Sequence, residues 1–122
     1  IIGHELESQD GLVEWLLLQK KQCKCFSNAI FSGLPAVALA KIIRDVIIPR
    51  TYLNGIYHIA SNPISKYNLL KLVAEVYNLK IKLIQDDSIK IDRSLNSDRF
   101  RNDTGYLMPE WMELIKLMHS YR

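Results

Sequence analysis

The sequence predicts a small mixed α/β (or α+β) domain in which helices alternate with a few short strands. A length of 122 residues is enough for one domain with a modest core. Hydrophobic residues make up 48% and charged residues 24%, as in ordinary globular proteins. Segments of helical period alternate with segments of strand period. No internal repeat or linker divides the chain, so we treat residues 1–122 as a single domain.

Five segments combine apolar residues at helical spacing with helix start and stop signals. A serine or aspartate supplies a cap, a proline fits the first helical position, and a glycine can take the left-handed closing conformation. The predicted helices are 10–21 (capped by Asp10), 35–48 (opened by Pro35, stopped by Pro49), 66–77 (capped by Ser65), 97–105 (from Ser97 to Gly105) and 109–119 (opened by Pro109).

Three segments are predicted to be short strands, at 23–26, 55–60 and 80–84. The first and last alternate apolar and polar residues, and the second is rich in β-branched and aromatic residues. Three or four strands form a thin sheet for an independent α/β unit. We therefore expect strands outside this chain to complete part of the sheet.

Charge and hydropathy exclude several classes of function. The net charge of +3 is mild, and no stripe of Lys and Arg predicts nucleic-acid binding. The longest apolar runs are too short to cross a bilayer, and the first residues lack the pattern of a secretory signal. Cys23 and Cys25 are too few for a closed zinc site and are expected to be reduced thiols, which predicts a cytoplasmic protein.

Several motifs, in order along the chain, resemble the distal half of extended short-chain dehydrogenase/reductases that act on nucleotide sugars. They are IIGH at 1–4, KCFSN at 24–28, SGLPAVALAKII at 32–43, GIYHIAS at 55–61 with ISKYNLLKLVAEVY at 64–77, DRSLNSDRF at 92–100 and GYLMPEW at 105–111. The last two are most similar to the dTDP-4-dehydrorhamnose reductases. Each motif alone is weak, and their order and spacing over the whole chain carry the resemblance. Ala38 stands where the family has an acid, and Ser94 where it has a proline.

The resemblance implies the distal part of a Rossmann-type enzyme and an NAD(P)-dependent reductase of cell-surface polysaccharide precursor synthesis, or else an epimerase or dehydratase. It implies that the chain is a fragment that lacks the amino-terminal dinucleotide-binding half. The five glycines include no G-x-x-G spacing, so no cofactor fingerprint is present, and NAD or NADP is assigned to that other half. The expected partners are a nucleotide sugar, the other half and a second copy in a homo-oligomer. The chain alone is expected to be inactive.

Tyr67 and Lys71 match the family's catalytic Y-x-x-x-K spacing. They follow GIYHIAS, where the family has an ordinary helix of the substrate domain, and four-residue patterns recur by chance. We therefore predict no catalytic residue in this chain and interpret the pair as part of an amphipathic helix.

The resemblance places Arg93 near the nucleotide diphosphate, which a planar guanidinium binds with paired, charge-assisted hydrogen bonds. The alternative is a solvated surface arginine. Ser94 and Asn96 are further candidates, with turn and cap roles as the alternative. The remaining candidates for substrate binding are Phe26, Ser27, Asn28 and His4. Phe26 could instead belong to the core, and His4 could form a surface pair with Glu5.

A second functional class stays open at this point, a non-catalytic interaction module. The apolar faces of helices 35–48 and 109–119 could then form a docking surface. An exposed apolar face without a pocket would favour this class.

Overall fold

The computed structural model describes residues 1–122, with five helices and one three-stranded sheet, and confirms the predicted mixed fold. The helices are α1 (Leu12–Leu17), α2 (Ala36–Ile42, continued by a π-helical turn over Ile43–Ile47), α3 (Lys66–Val76), α4 (Asp98–Thr104) and α5 (Trp111–Ser120). The strands are β1 (Gln22–Phe31), β2 (Ile64–Ser65) and β3 (Lys82–Asp92).

The sheet has the order β2-β1-β3, with β1 in the centre. β1 and β3 run parallel, and their ladder is irregular between Phe26 and Asn28, which pair with Asp86 and Lys90. An advance of two residues along β1 therefore corresponds to four residues along β3. The extra residues form a β-bulge in β3, which bends that strand. The short β2 pairs antiparallel with the end of β1 and leads directly into α3.

The core lies between the sheet and the helices α2, α3 and α5. Its side chains include Ile42, Leu69, Leu114 and Ile115, each at most 1% exposed. The buried residues of this one cluster include Ala38, Ile42 and Val46 of α2 and its π-helical turn, together with the apolar stripe of α5. The α5 face considered for docking a partner is thus used within the domain, whereas Ile43 stays exposed on α2's continuation.

The predicted strand over 55–60 is wrong, because the segment forms no strand and its backbone is held by a side chain of another element. Arg99 donates hydrogen bonds to the carbonyl oxygens of Asn54, at 2.9 Å, and Ile56, at 2.6 Å. Its guanidinium also lies 4.1 Å from the ring centre of Tyr57. Gly55 has φ +86°, which no regular strand residue adopts. An arginine on α4 thereby holds this segment as a loop.

The helix predicted over 10–21 is shorter at both ends. Its N-cap is Gly11 rather than Asp10, because the Asp10 N–H is bound by the Glu5 carboxylate. The carbonyl oxygen of Lys21 accepts from Lys82 N–H, so this residue already belongs to the start of the sheet. The strands predicted at 23–26 and 80–84 extend much further, since each stabilises the other along the parallel ladder.

None of the five helices has the length and apolar composition needed to cross a membrane.

Candidate functional site

A cavity of about 580 Å³ lies beside the carboxyl halves of β1 and β3. Eleven of its 15 lining residues are hydrophobic, among them Phe26, Phe31 and Ile91. An apolar lining with a few polar groups at defined positions is typical of sites for small organic ligands.

Arg93 lines this cavity and follows the last residue of β3. Its backbone N–H donates to the carbonyl oxygen of Ile30 at 3.1 Å, which fixes the residue against β1. The side chain is exposed and takes part in none of the three ion pairs of the structure. The guanidinium is therefore free to bind an anion.

Three further hydrogen bonds hold the loop after Arg93. Leu95 N–H donates to the buried Ser32 hydroxyl at 2.8 Å, and Ser94 N–H donates to the Asp92 carboxylate at 2.8 Å. Asp98 N–H donates to the Asn96 side-chain oxygen at 2.8 Å, at the start of α4. The Ser94 hydrogen bonds lower the pKa of the Asp92 carboxyl. Hydrogen bonds thus order the loop that contains Ser94.

Lys66 is a lining residue that the sequence analysis missed. It is the first residue of α3, it is half-buried, and no ion pair includes it. A single lysine after a helix cap carries no signal in the sequence, because lysines are common on helix surfaces. The 15 lining residues include no Asp or Glu, so Lys66 and Arg93 give the cavity a positive charge.

The three candidate residues at 26–28 lie in different environments in the structure. Phe26 lines the cavity and is half-buried. Ser27 and Asn28 are not among the lining residues; the Ser27 hydroxyl donates to the carbonyl oxygen of Asp86 at 3.3 Å, and Asn28 is exposed. Ser94 and Asn96 also lie outside the lining, on either side of Leu95, which belongs to it.

His4 lies at a second, smaller cavity of about 170 Å³, which shares Ile1, Ile2 and Leu12 with the first. Its partner is not Glu5 but Glu14, whose carboxylate is 2.9 Å from Nδ1. Its Nε2 is 2.7 Å from the Tyr77 hydroxyl. Both ring nitrogens are therefore occupied within the chain. Burial raises the pKa of Tyr77 to about 12, so this phenol stays protonated at neutral pH.

Tyr67 and Lys71 both lie on α3, as the amphipathic pattern predicts. Neither lines the two cavities described above, and Lys71 is exposed. No hydrogen bond joins the two side chains.

The start of α2, the helix that follows β1, does not fit the phosphates of a dinucleotide cofactor. A phosphate cradle needs free N–H groups at the start of a helix that follows a strand. After β1, Pro35 has no N–H, and the Ala36 N–H donates to the carbonyl oxygen of Ile2 at 2.8 Å. The amino-terminal segment thus occupies the start of α2.

Two solved structures have a fold similar to that of this chain. No family model matches the chain, and no curated protein matches its sequence. A solved structure of dTDP-4-dehydrorhamnose reductase from Bacillus anthracis, in complex with NADP, is similar with a TM-score of 0.78 and 18% identity. A dTDP-4-dehydrorhamnose reductase structure from Clostridium acetobutylicum gives a TM-score of 0.73 and 15% identity. The chain has the fold of a part of these reductases.

The similarity covers 94% and 92% of this chain but 44% of each reductase chain. The chain thus spans less than half the length of the structures that it matches. At these identities the likeness establishes the fold, and it confirms the fold that the sequence resemblance implied.

Proposed function

We propose that the chain is the nucleotide-sugar-binding part of an NAD(P)-dependent sugar reductase such as dTDP-4-dehydrorhamnose reductase. The observation that carries the proposal is that Phe26 and Arg93, which are 67 positions apart in sequence, line one cavity. The sequence resemblance implies both residues as candidates for substrate binding. The likeness in fold to two dTDP-4-dehydrorhamnose reductases supports the same substrate class.

In this proposal the cavity holds the nucleotide and its diphosphate. The Phe26 ring offers an aromatic surface to the base, and the free Arg93 guanidinium pairs with diphosphate oxygens. The hydrogen bonds of Arg93 N–H and Leu95 N–H to β1 and Ser32 hold the loop in place, so little entropy is lost when the ligand binds.

Hydride transfer is assigned to residues outside this chain. The start of α2 has no free phosphate cradle, and Tyr67 and Lys71 line neither of the two cavities. The chain then supplies substrate binding, and a partner half supplies NAD or NADP. The assembled enzyme would act in the cytoplasm, as a homo-oligomer, in the synthesis of cell-surface polysaccharide precursors.

An NMR titration of the ¹⁵N-labelled chain with dTDP-glucose, UDP-glucose and glucose tests this proposal. We expect the two nucleotide sugars to shift the backbone amides of Phe26, Ile91 and Arg93, and glucose to shift none of them. Shifts confined to residues far from the cavity, or none with any nucleotide sugar, would contradict the proposal.

A further inference from the structure

The peptide bond between Asn54 and Gly55 lies in an exposed loop that belongs to no helix or strand. Asn54 is the only asparagine of the chain that is followed by a glycine. The Gly55 N–H donates to no backbone carbonyl, and Gly55 has no Cβ that would shield its nitrogen. This nitrogen is therefore free to approach the side-chain amide of Asn54.

The carbonyl oxygen of the same peptide bond is bound by Arg99. Its Nη2 donates to the Asn54 carbonyl oxygen at 2.9 Å, and its Nη1 donates to that of Ile56 at 2.6 Å. A Cβ added to Gly55 would lie 3.3 Å from Nη1, so the guanidinium lies directly against this peptide. When a peptide nitrogen loses its proton, the negative charge is shared with the carbonyl oxygen, where a cationic donor stabilises it.

We propose that Asn54 and Gly55 form a site of covalent self-modification, a deamidation that Arg99 assists. The Gly55 nitrogen attacks the side-chain carbonyl carbon Cγ of Asn54, which it can reach because the two groups are adjacent in the chain. The Cγ–Nδ2 bond breaks, ammonia leaves with the former Gly55 N–H proton, and a cyclic imide remains. Water then opens the imide at one of its two carbonyl carbons and leaves a carboxylate.

The position of Arg99 also favours one of the two products. Its contact lies on the main-chain carbonyl of Asn54, and polarisation of that carbonyl directs the attacking water to its carbon. Opening of the imide there leaves Gly55 attached to the former side chain, so that residue 54 becomes isoaspartate. The carbonyl group that Arg99 bound becomes a carboxylate, and an ion pair replaces a neutral acceptor.

The other asparagines of the chain are less suited to this reaction. Asn28, Asn68 and Asn102 lie within β1, α3 and α4, where regular backbone geometry holds the following N–H away from the side chain. Asn62 precedes a proline, which has no N–H. The side-chain oxygen of Asn96 accepts from the Asp98 N–H at 2.8 Å. These residues serve as internal references for Asn54.

The deamidation site is separate from the cavity, since neither Asn54, Gly55 nor Arg99 lines it. The inference therefore goes beyond the proposed function and does not depend on nucleotide-sugar binding.

Incubation of the chain in neutral buffer, followed by peptide mapping with mass spectrometry, tests the site. We expect the peptide that contains Asn54 to gain the mass of an amide-to-acid change faster than any other peptide. Methylation by a protein isoaspartate methyltransferase should identify isoaspartate as the main product. Asn54→Gln should not convert, because glutamine forms the larger imide ring far more slowly. Conversion of Asn54 no faster than that of Asn96 would overturn the site.

Arg99→Gln tests the assistance by the guanidinium. This variant should slow the conversion of Asn54 by about fivefold or more and lower the isoaspartate fraction, because the cationic donor is lost. Arg99→Lys should retain more of the rate than Arg99→Gln, since it keeps the charge. Arg101→Gln, which removes an exposed guanidinium paired with Asp98 on the same helix, is the matched control and should change the rate by about twofold or less.

A purely structural role of Arg99 predicts the opposite sign. If the guanidinium only restrained the loop, Arg99→Gln would loosen it and speed the conversion of Asn54. A rate in Arg99→Gln equal to that of the parent chain, or higher, would therefore overturn the assistance by Arg99.

Discussion

Arg93 and Ile30 are joined by a backbone hydrogen bond of 3.1 Å from the Arg93 N–H to the Ile30 carbonyl oxygen. This bond continues the parallel contact of β1 and β3 one residue beyond the end of β3. Since both residues line the cavity, the bond places a free guanidinium at the edge of an apolar surface. The position of the proposed anion-binding group is thus set by the sheet itself.

Ser32 is expected to order the loop that carries Arg93. Its buried hydroxyl accepts from Leu95 N–H, so Ser32→Ala should lower the free energy of unfolding by about 1 kcal/mol. The same change should weaken dTDP-glucose binding, because the loop is then less ordered. Urea denaturation and calorimetry measure the two effects. Ser120→Ala, at an exposed hydroxyl on α5, is the control, and equal losses in both variants would refute the role of Ser32.

The His4–Tyr77 hydrogen bond should stabilise the amino-terminal segment. His4→Ala leaves the buried Tyr77 hydroxyl without its partner and should cost about 1–3 kcal/mol in unfolding free energy. Tyr77→Phe removes the hydroxyl itself and should cost about 0.5–1.5 kcal/mol. A double-mutant cycle should give a coupling of at least about 0.5 kcal/mol.

His58 is exposed and its side chain makes no hydrogen bond, so His58→Ala serves as the control for a histidine without a buried partner. Additive effects of His4→Ala and Tyr77→Phe would show that the bond does not contribute to stability.

The free energy of unfolding should fall at alkaline pH, because the Tyr77 phenol and the Cys25 thiol are buried in their protonated forms. Burial raises the pKa of Tyr77 from 10.0 to about 12, and burial followed by the hydrogen bond with Cys23 raises that of Cys25 from 9.0 to about 12. The folded state therefore retains protons that the unfolded chain releases. The resulting stability is complete below pH 9 and is lost as the pH rises towards 12.

Urea denaturation as a function of pH measures this loss, which is at most about 1.4 kcal/mol per pH unit for each proton. Tyr77→Phe should flatten the upper part of the profile, whereas Tyr52→Phe, at an exposed ring, should not. A profile that is flat above pH 9 in the parent chain would contradict the burial of both groups.

Gly105 should be required for its backbone conformation alone. Its φ is +72°, and a Cβ added there would meet no atom within 4 Å. Gly105→Ala should therefore cost about 1 kcal/mol of unfolding free energy through backbone strain. Gly3→Ala, where the new Cβ meets Ala36 at an ordinary 3.5 Å, should cost about 0.5 kcal/mol or less. Thermal melting compares the two, and equal costs would refute the strain.

The five helices could be predicted from the sequence, and the local signals at two of their ends were correct, although that of Asp10 was not. Ser65 caps α3 through its side chain, and Gly105 ends α4 in the left-handed conformation, as predicted. The prediction of a strand over 55–60 was wrong because the deciding contact joins residues more than forty positions apart. In that contact Arg99 donates to the carbonyl oxygens of Asn54 and Ile56.

The same distinction holds for the site. Arg93 and Phe26 could be named because the family resemblance marks them, although only the fold brings them to one cavity. Lys66 could not be named, since only the fold places it at the cavity. The resemblance indicates His4 only by its position after the first segment, whereas its hydrogen bonds to Glu14 and Tyr77 depend on the packing of α1 and α3.

The central claim is that the cavity beside Arg93 binds a nucleotide sugar. Calorimetric titration of dTDP-glucose into the chain and its Arg93→Gln variant tests it most directly, with Lys90→Gln as the charge-matched control. We expect saturable binding that Arg93→Gln weakens by about tenfold or more and Lys90→Gln leaves nearly unchanged. Equal binding by all three chains, or none by the parent chain, would contradict the claim.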